Sequence, residues 1–300
     1  MRRRSFIAAA AAGIAIPSVA ETAFAQSPAQ ETAVTAKTGY VDVNGLQMYY
    51  ESHGKGGVPL VLLHGAFSSI HNSFGGLIPT LAATRQVVGF DLQGHGRTAD
   101  IDRPMTHDGL VSDIVAGLDA LGLEQVDFFG YSNGAFLALL VAIRHPERVR
   151  KLVVLSVSTR LDGIHPGLMD GLGDMQPSMM YGSPWHTEYL ELNPKPDFDR
   201  LFWKKSEMDK GIKDIPDADL QALKQPVLVM AGDSDLPTVE HVAQVFRLVG
   251  GGVFGDTPAG LPNSQLAILP GTSHVSAPYQ TELLKLIVPA FLDKQEKPAA

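Results

Sequence analysis

The 300-residue sequence has no cysteine. That excludes a disulfide framework, a thiolate metal centre and a cysteine nucleophile. It permits an oxidising compartment without demanding one. Basic residues are few: 24 Lys and Arg stand against 32 Asp and Glu, for a formal net charge of −8. Phosphate backbones are bound by Lys and Arg, so this balance argues against a nucleic-acid partner. No His-Glu-x-x-His pair or other ligand spacing points to a metal. No Gly-x-Gly-x-x-Gly opens a helix after a strand, so a dinucleotide site is not expected either. No metal or cofactor is therefore expected, and no internal repeat is present. The composition is otherwise that of a soluble globular chain, 45% hydrophobic and 19% charged. At this length a chain buries about three quarters of its unfolded surface and needs no staple.

Arg2, Arg3 and Arg4 precede a soft apolar run from Phe6 to Ile16, and Ala23-Phe24-Ala25 follows before Gln26. A charged, then apolar, then small-residue order is that of an export signal over residues 1–25. The run is too short to span a bilayer, so no stable membrane anchor is expected after cleavage. Arg3-Arg4-Ser5-Phe6-Ile7 resembles the twin-arginine export motif; a general secretory signal with an extra arginine is the alternative. The expected location is periplasmic or secreted, in a bacterium. Losing residues 1–25 removes three arginines and one glutamate and takes the net charge from −8 to −10. Residues 26–38, rich in Ala, Thr, Ser, Gln and Pro, read as a loose linker.

Beyond the linker, strand and helix signals alternate. Tyr40–Val43 and Leu46–Tyr50 flank Asn44-Gly45, a strong hairpin signal because both turn positions need positive φ. Short apolar runs follow at Leu60–Leu63, Val87–Phe90, Val126–Phe129, Leu152–Leu155, Val227–Met230 and Leu266–Leu269. Most are continuously apolar rather than alternating, as expected of strands covered on both faces. Helical spacing appears at Leu110–Leu121, Ala135–Ile143 and Glu282–Leu292. The order implies an α/β fold with a mostly parallel sheet and helices on both faces. About seventy residues between Ser156 and Pro226 hold no strand run, and residues 157–225 read as a helical cap inserted in a core of 39–156 and 226–294. This segment carries Met169, Met175, Met179, Met180, Tyr181, Phe198, Leu201, Phe202 and both tryptophans, Trp185 and Trp203.

Gly130-Tyr131-Ser132-Asn133-Gly134 lies between a buried strand and a helix. A serine on such a turn is held strained with its hydroxyl exposed, and side chains at Gly130 or Gly134 would strike the helix or strand. The helix N-terminus aims free N–H groups at the same place. His64-Gly65-Ala66-Phe67 follows the strand at Leu60–Leu63.

With these two motifs the chain resembles the α/β-hydrolase family over residues 40–294, which implies an eight-stranded sheet. The resemblance implies an oxyanion hole from the backbone N–H groups of Ala66 and Asn133, and a bracing rather than catalytic role for His64. Asp91-Leu92-Gln93-Gly94-His95-Gly96-Arg97-Thr98 resembles a further turn of that family, with Thr in place of Ser, and Asp91 is expected to bond backbone there. The family's acid follows the strand at Val227–Met230, where Asp233 and Asp235 compete and family spacing favours Asp235; the other is expected to cap a turn. His274 is the one histidine after the last strand, and the order Ser132, Asp235, His274 matches the family. The resemblance thus implies a serine hydrolase with Ser132 as nucleophile, His274 as base and Asp235 orienting the base. A serine rather than a carboxylate at the nucleophile position argues against epoxide opening and dehalogenation. Carboxylic ester hydrolysis ranks first. Lactone or carbon–carbon bond hydrolysis, cofactor-free haloperoxidase or perhydrolase chemistry, and a receptor-like binding module with little turnover remain open. The expected partner is a small apolar substrate; Phe67, Tyr131, Trp185 and Trp203 are candidate pocket residues, and the oligomeric state is left open.

Overall fold

The computed structural model describes residues 36–168 and 175–295. The expected signal segment, most of the expected linker and Met169 lie outside the described residues. Eight strands form one sheet: β1 Lys37–Val43, β2 Leu46–His53, β3 Leu60–Leu63, β4 Val87–Phe90, β5 Val126–Tyr131, β6 Val149–Leu155, β7 Val227–Ser234 and β8 Gln265–Ser273. Their order across the sheet is β1-β2-β4-β3-β5-β6-β7-β8. The β1–β2 and β2–β4 pairs are antiparallel and all others parallel. Asn44 and Gly45 take φ of 50° and 81° in the first hairpin. The loose lead-in ends earlier than expected from composition, because Lys37 and Thr38 already pair with Ser52 and Glu51 in β1.

The continuous apolar runs have a direct structural cause. Val61 and Leu63 of β3 pack into one core, while Leu60 and Leu62 pack into a second core on the opposite face. The same division separates Val154 from Val153 and Leu155 in β6, and Val227 and Val229 from Leu228 and Met230 in β7. A strand buried on both faces cannot alternate, and each such leucine or valine contributes about 1.5–3 kcal/mol of burial.

Nine α-helices are described: α1 Ile70–Phe74, α2 Ile78–Ala82, α3 His107–Ala120, α4 Asn133–Arg144, α5 Pro184–Leu192, α6 Phe198–Lys210, α7 Asp217–Ala222, α8 Val239–Leu248 and α9 Thr281–Asp293. Helix α4 is buried continuously from Gly134 to Ala142. Helices α5, α6 and α7 fall between β6 and β7, where the described residues contain no sheet strand. That stretch is tied back near its start by a bridge between Ile164 and Pro237 and by Thr238 N–H donating to the Gly163 carbonyl at 2.9 Å. Its root is therefore fastened to the segment following β7. The loops after β3, β5, β7 and β8 all leave the carboxyl ends of parallel strands, the edge where open α/β sheets gather their ligands.

Candidate active site

Ser132 sits between β5 and α4 with φ 53° and ψ −118°. Two close approaches fix it there. A Cβ on Gly134 would stand 1.9 Å from the Leu63 carbonyl oxygen, and one on Gly130 would stand 2.4 Å from the Gly134 oxygen. Only glycine lets the helix start this close to β3 and β5. Ser132 N–H donates to the Leu155 carbonyl at 2.8 Å, which hangs the turn on β6.

The structure brings the three predicted side chains together. Ser132 Oγ lies 3.0 Å from His274 Nε2, and His274 Nδ1 lies 2.7 Å from Asp235 Oδ1. An ionised carboxylate only accepts, so the proton sits on Nδ1 and Nε2 is free to take the serine proton. The Asp235 side chain is fully buried and the imidazole is 24% exposed. Asp235 Oδ1 also accepts from Leu236 N–H at 2.6 Å, and Oδ2 accepts from Gly232 N–H at 2.9 Å and Ser156 Oγ at 2.5 Å. Burial alone would raise this carboxyl, but the bonds from His274, Ser156 and Gly232 prevail and hold it below the usual range. Asp233 lies elsewhere: it accepts from Gly271 and Thr272 N–H at 2.8 and 3.1 Å, fastening β7 to β8.

Sequence resemblance had placed the oxyanion donors at Ala66 and Asn133. Neither N–H donates to a protein acceptor among the described residues. Asn133 is the first residue of α4, where the dipole adds positive potential. Gly65 lets the two loops close, since a Cβ there would meet the Tyr131 ring at 2.8 Å. Phe67 holds φ 57° and stacks on Phe202 of α6 at 5.6 Å between centroids, with Phe198 at 6.0 Å.

His64 is not placed as a base. Its Nδ1–H donates to the Gly65 carbonyl at 2.7 Å and Nε2 accepts from Leu92 N–H at 3.0 Å, so both ring nitrogens are occupied. Burial pushes its pKa down to about 4. Asp91 accepts from Ile70 and Arg97 N–H at 2.9 and 2.8 Å, joining the β3 and β4 loops; burial pushes it up to about 7.

Two of the candidate pocket residues are placed differently from their expectation. Tyr131 is buried and its hydroxyl donates to the His274 carbonyl at 2.8 Å, with the rings 5.5 Å apart. It braces the histidine loop rather than presenting a free surface. Trp203 is 43% exposed, with its ring edge against Phe202 at 5.3 Å, and is not brought to the cluster. Position on α6 decides this: Phe202 takes the inward face and its neighbour turns out. Phe67 stays under the helical segment, and Trp185 is half-buried and interacts with Tyr279.

Sequence reasoning missed Ser156 and Glu188. Ser156 immediately follows β6, the strand beside β7, and that adjacency is the signal that would have found it. Glu188 belongs to a helix whose inward face could not be read without knowing what it covers.

The family profile described as "alpha/beta hydrolase fold" matches residues 58–205. The chain is 29% identical over 289 residues to the dihydrolipoyllysine-residue acetyltransferase component of an acetoin cleaving system from Pseudomonas putida, covering 90% of this chain and 71% of that protein. It is 24% identical over 269 residues to a putative carbamate hydrolase, RutD, from Agrobacterium fabrum, covering 81% and 99%. Among solved structures, a meta-cleavage product hydrolase from Pseudomonas fluorescens superposes with TM-score 0.69 at 22% identity, covering 87% of this chain and 98% of that one. Sheet order, profile and superposition define the α/β-hydrolase fold. Within that fold, the chain resembles hydrolases in sequence.

Proposed function

We propose that the protein hydrolyses carboxylic esters of small apolar substrates through an acyl-enzyme on Ser132. The observation that carries this reading is the unbroken relay from Ser132 Oγ to His274 Nε2 at 3.0 Å and from Nδ1 to Asp235 Oδ1 at 2.7 Å. His274 takes the hydroxyl proton as Ser132 Oγ bonds the ester carbonyl carbon. The carbonyl oxygen becomes negative between the N–H groups of Ala66 and Asn133, each such donor being worth about 3 kcal/mol in the barrier. The tetrahedral species expels the alkoxide, which receives the proton from His274. Water then gives a proton to the imidazole, attacks the acyl carbon and releases the acid, and the proton returns to Ser132. Asp235 stays ionised and stabilises the imidazolium in both halves.

The aromatic cluster of Phe67, Phe198 and Phe202 supports an apolar substrate. Trp185, half-buried on α5, is the one predicted pocket tryptophan that keeps a place in this reading. The N-terminal arginines and apolar run support export before the enzyme acts. The test is a fluorophosphonate label together with nitrophenyl esters of short acyl chains. Labelling at Ser132 with a burst of one nitrophenol per protein is expected; a folded protein giving neither overturns the reading. Carbon–carbon bond hydrolysis is the second reading, favoured by the superposed meta-cleavage product hydrolase. Vinylogous diketones cleaved faster than every ester would select it. Tight ligand binding with a labelled Ser132 but no turnover would select a receptor.

A further inference from the structure

Glu188 is a half-buried carboxylate on the inward face of α5. Its Oε1 accepts from the Ser69 hydroxyl at 3.0 Å, three residues beyond Ala66. Ser69 also receives Asn72 N–H at 3.0 Å, so its own proton is committed to the glutamate. One turn earlier on the same helix face, Trp185 interacts with the hydroxyl of Tyr279, five residues beyond His274. That hydroxyl in turn donates to Asn72 Oδ1 at 2.8 Å. The carboxylate therefore lies between the segment that carries the Ala66 donor and the segment that carries the base.

No cation neutralises it. Arg97 is a cation that acts on it, and its guanidinium is turned to Glu51 at 3.4 Å and to the Tyr49 ring. Among the described residues Glu188 has no ion-pair partner, and Oε2 has no hydrogen-bond donor yet is not sealed from solvent. Burial raises its carboxyl above the usual range, opposed by the Ser69 bond. A half-desolvated carboxylate is costly unless something of opposite charge completes it. Trp185 beside it supplies an aromatic face, the other surface that attracts an organic cation.

We infer that Glu188, with Trp185 and Tyr279, forms a subsite for a cationic group of the substrate, selecting ammonium-bearing esters and repelling carboxylate-bearing ones. This rests on the ester reading and names the substrate class for that same site. An ammonium seated there replaces the lost hydration of Oε2, whereas a substrate carboxylate meets like charge at short range.

The experiment uses the mature full-length enzyme and nitrophenyl esters in matched sets, identical but for a terminal trimethylammonium, tert-butyl or carboxylate group. One series carries the group on the acyl chain and a second on the alcohol. The readout is the ratio of kcat/KM within a set. In at least one series the cationic ester is expected to exceed its neutral match by about tenfold and the anionic ester by more, with the difference in KM. Glu188→Gln is expected to bring the cationic-to-neutral ratio close to one, and Glu188→Lys to reverse the order. Should either variant fail to fold, rising salt in the wild type serves instead, since the ratio must shrink as charge is screened. Equal turnover of all three esters in both series overturns the inference and leaves the ester reading standing. A ratio unmoved by both variants and by salt also overturns it. Hydrolysis of none by folded enzyme overturns both.

Discussion

The Ser156 hydroxyl stands 2.5 Å from Asp235 Oδ2, the oxygen that His274 does not touch. Ser156 directly follows β6 with φ 60°, a left-handed turn that points its side chain back towards the neighbouring β7 loop. The contact fixes the carboxylate plane, and through it the imidazole. Ser156→Ala leaves Oδ2 with the Gly232 N–H alone. A hydrogen bond to a charged group is worth about 1.5–3 kcal/mol. If orientation bears that loss, kcat on a nitrophenyl ester falls by about tenfold or more while KM stays within about threefold. Ser156→Gly removes the hydroxyl without the left-handed strain of alanine and is expected to match it. Wild-type kcat in both variants would mean that the backbone donors suffice.

Asp235 and Asp233 are two residues apart and do different work. Asp235 is buried on His274, whereas Asp233 joins the Gly271 and Thr272 amides from an exposed position. Asp235→Asn preserves shape but offers an amide where Nδ1–H needs an acceptor. A drop in kcat of about 10⁴ is expected, as for other serine relays that lose the acid. Asp233→Asn is expected to lower Tm and leave kcat within about threefold. Steady-state kinetics and thermal melts on the pair decide it, and a reversed pattern would reassign the acid.

Much of the fold and of the site is legible in the sequence, and what is not has a common cause. Ser132 could be placed because Gly130 and Gly134 meet the Gly134 and Leu63 carbonyls at distances no side chain tolerates, so local backbone sterics write themselves into sequence. The strands were legible because β3, β6 and β7 are apolar on both faces. Asp235 needed family spacing, since its burial against Ser156 joins residues 79 apart that no local pattern links. Trp203 illustrates the converse: an aromatic-rich helix between β6 and β7 announces apolar surface, but which ring faces inward depends on what α6 packs against. Glu188 looked like an ordinary charged helix position until Ser69 appeared beneath it.

Tyr131 links the nucleophile turn to the base, its hydroxyl on the His274 carbonyl at 2.8 Å. Tyr131→Phe keeps the ring beside Gly65 and removes the donor. The expected cost is about 1 kcal/mol in stability, with kcat lowered by less than about tenfold, because the relay itself is intact. Calorimetry and single-turnover kinetics read the two effects separately. A change in KM alone would instead return Tyr131 to the pocket wall.

His64 ties the stability of the loop after β3 to pH. Its Nε2 accepts from Leu92 N–H while Nδ1–H donates to the Gly65 carbonyl, so only the neutral ring fits. Burial lowers its folded-state pKa from 6.5 to about 4, and the adjacent His95, 5.1 Å away between ring centroids, is pushed down to about 3. The unfolded chain therefore binds these protons first as pH falls. Stability is flat for these groups above about pH 6.5 and is lost as pH drops towards 4, by roughly 3 kcal/mol for His64 alone. Asp91 works the other way: with its carboxyl raised to about 7, protonation favours the folded chain between about pH 7 and 4 and offsets part of the loss. The two histidines outweigh the single carboxyl, so unfolding free energy from urea titrations is expected to fall between pH 6.5 and 4.5. In His64→Gln the slope should relax by up to about 1.4 kcal/mol per pH unit, the contribution of one proton. An unchanged slope in that variant would show that His64 titrates alike in both states, contrary to its two-sided hydrogen bonding.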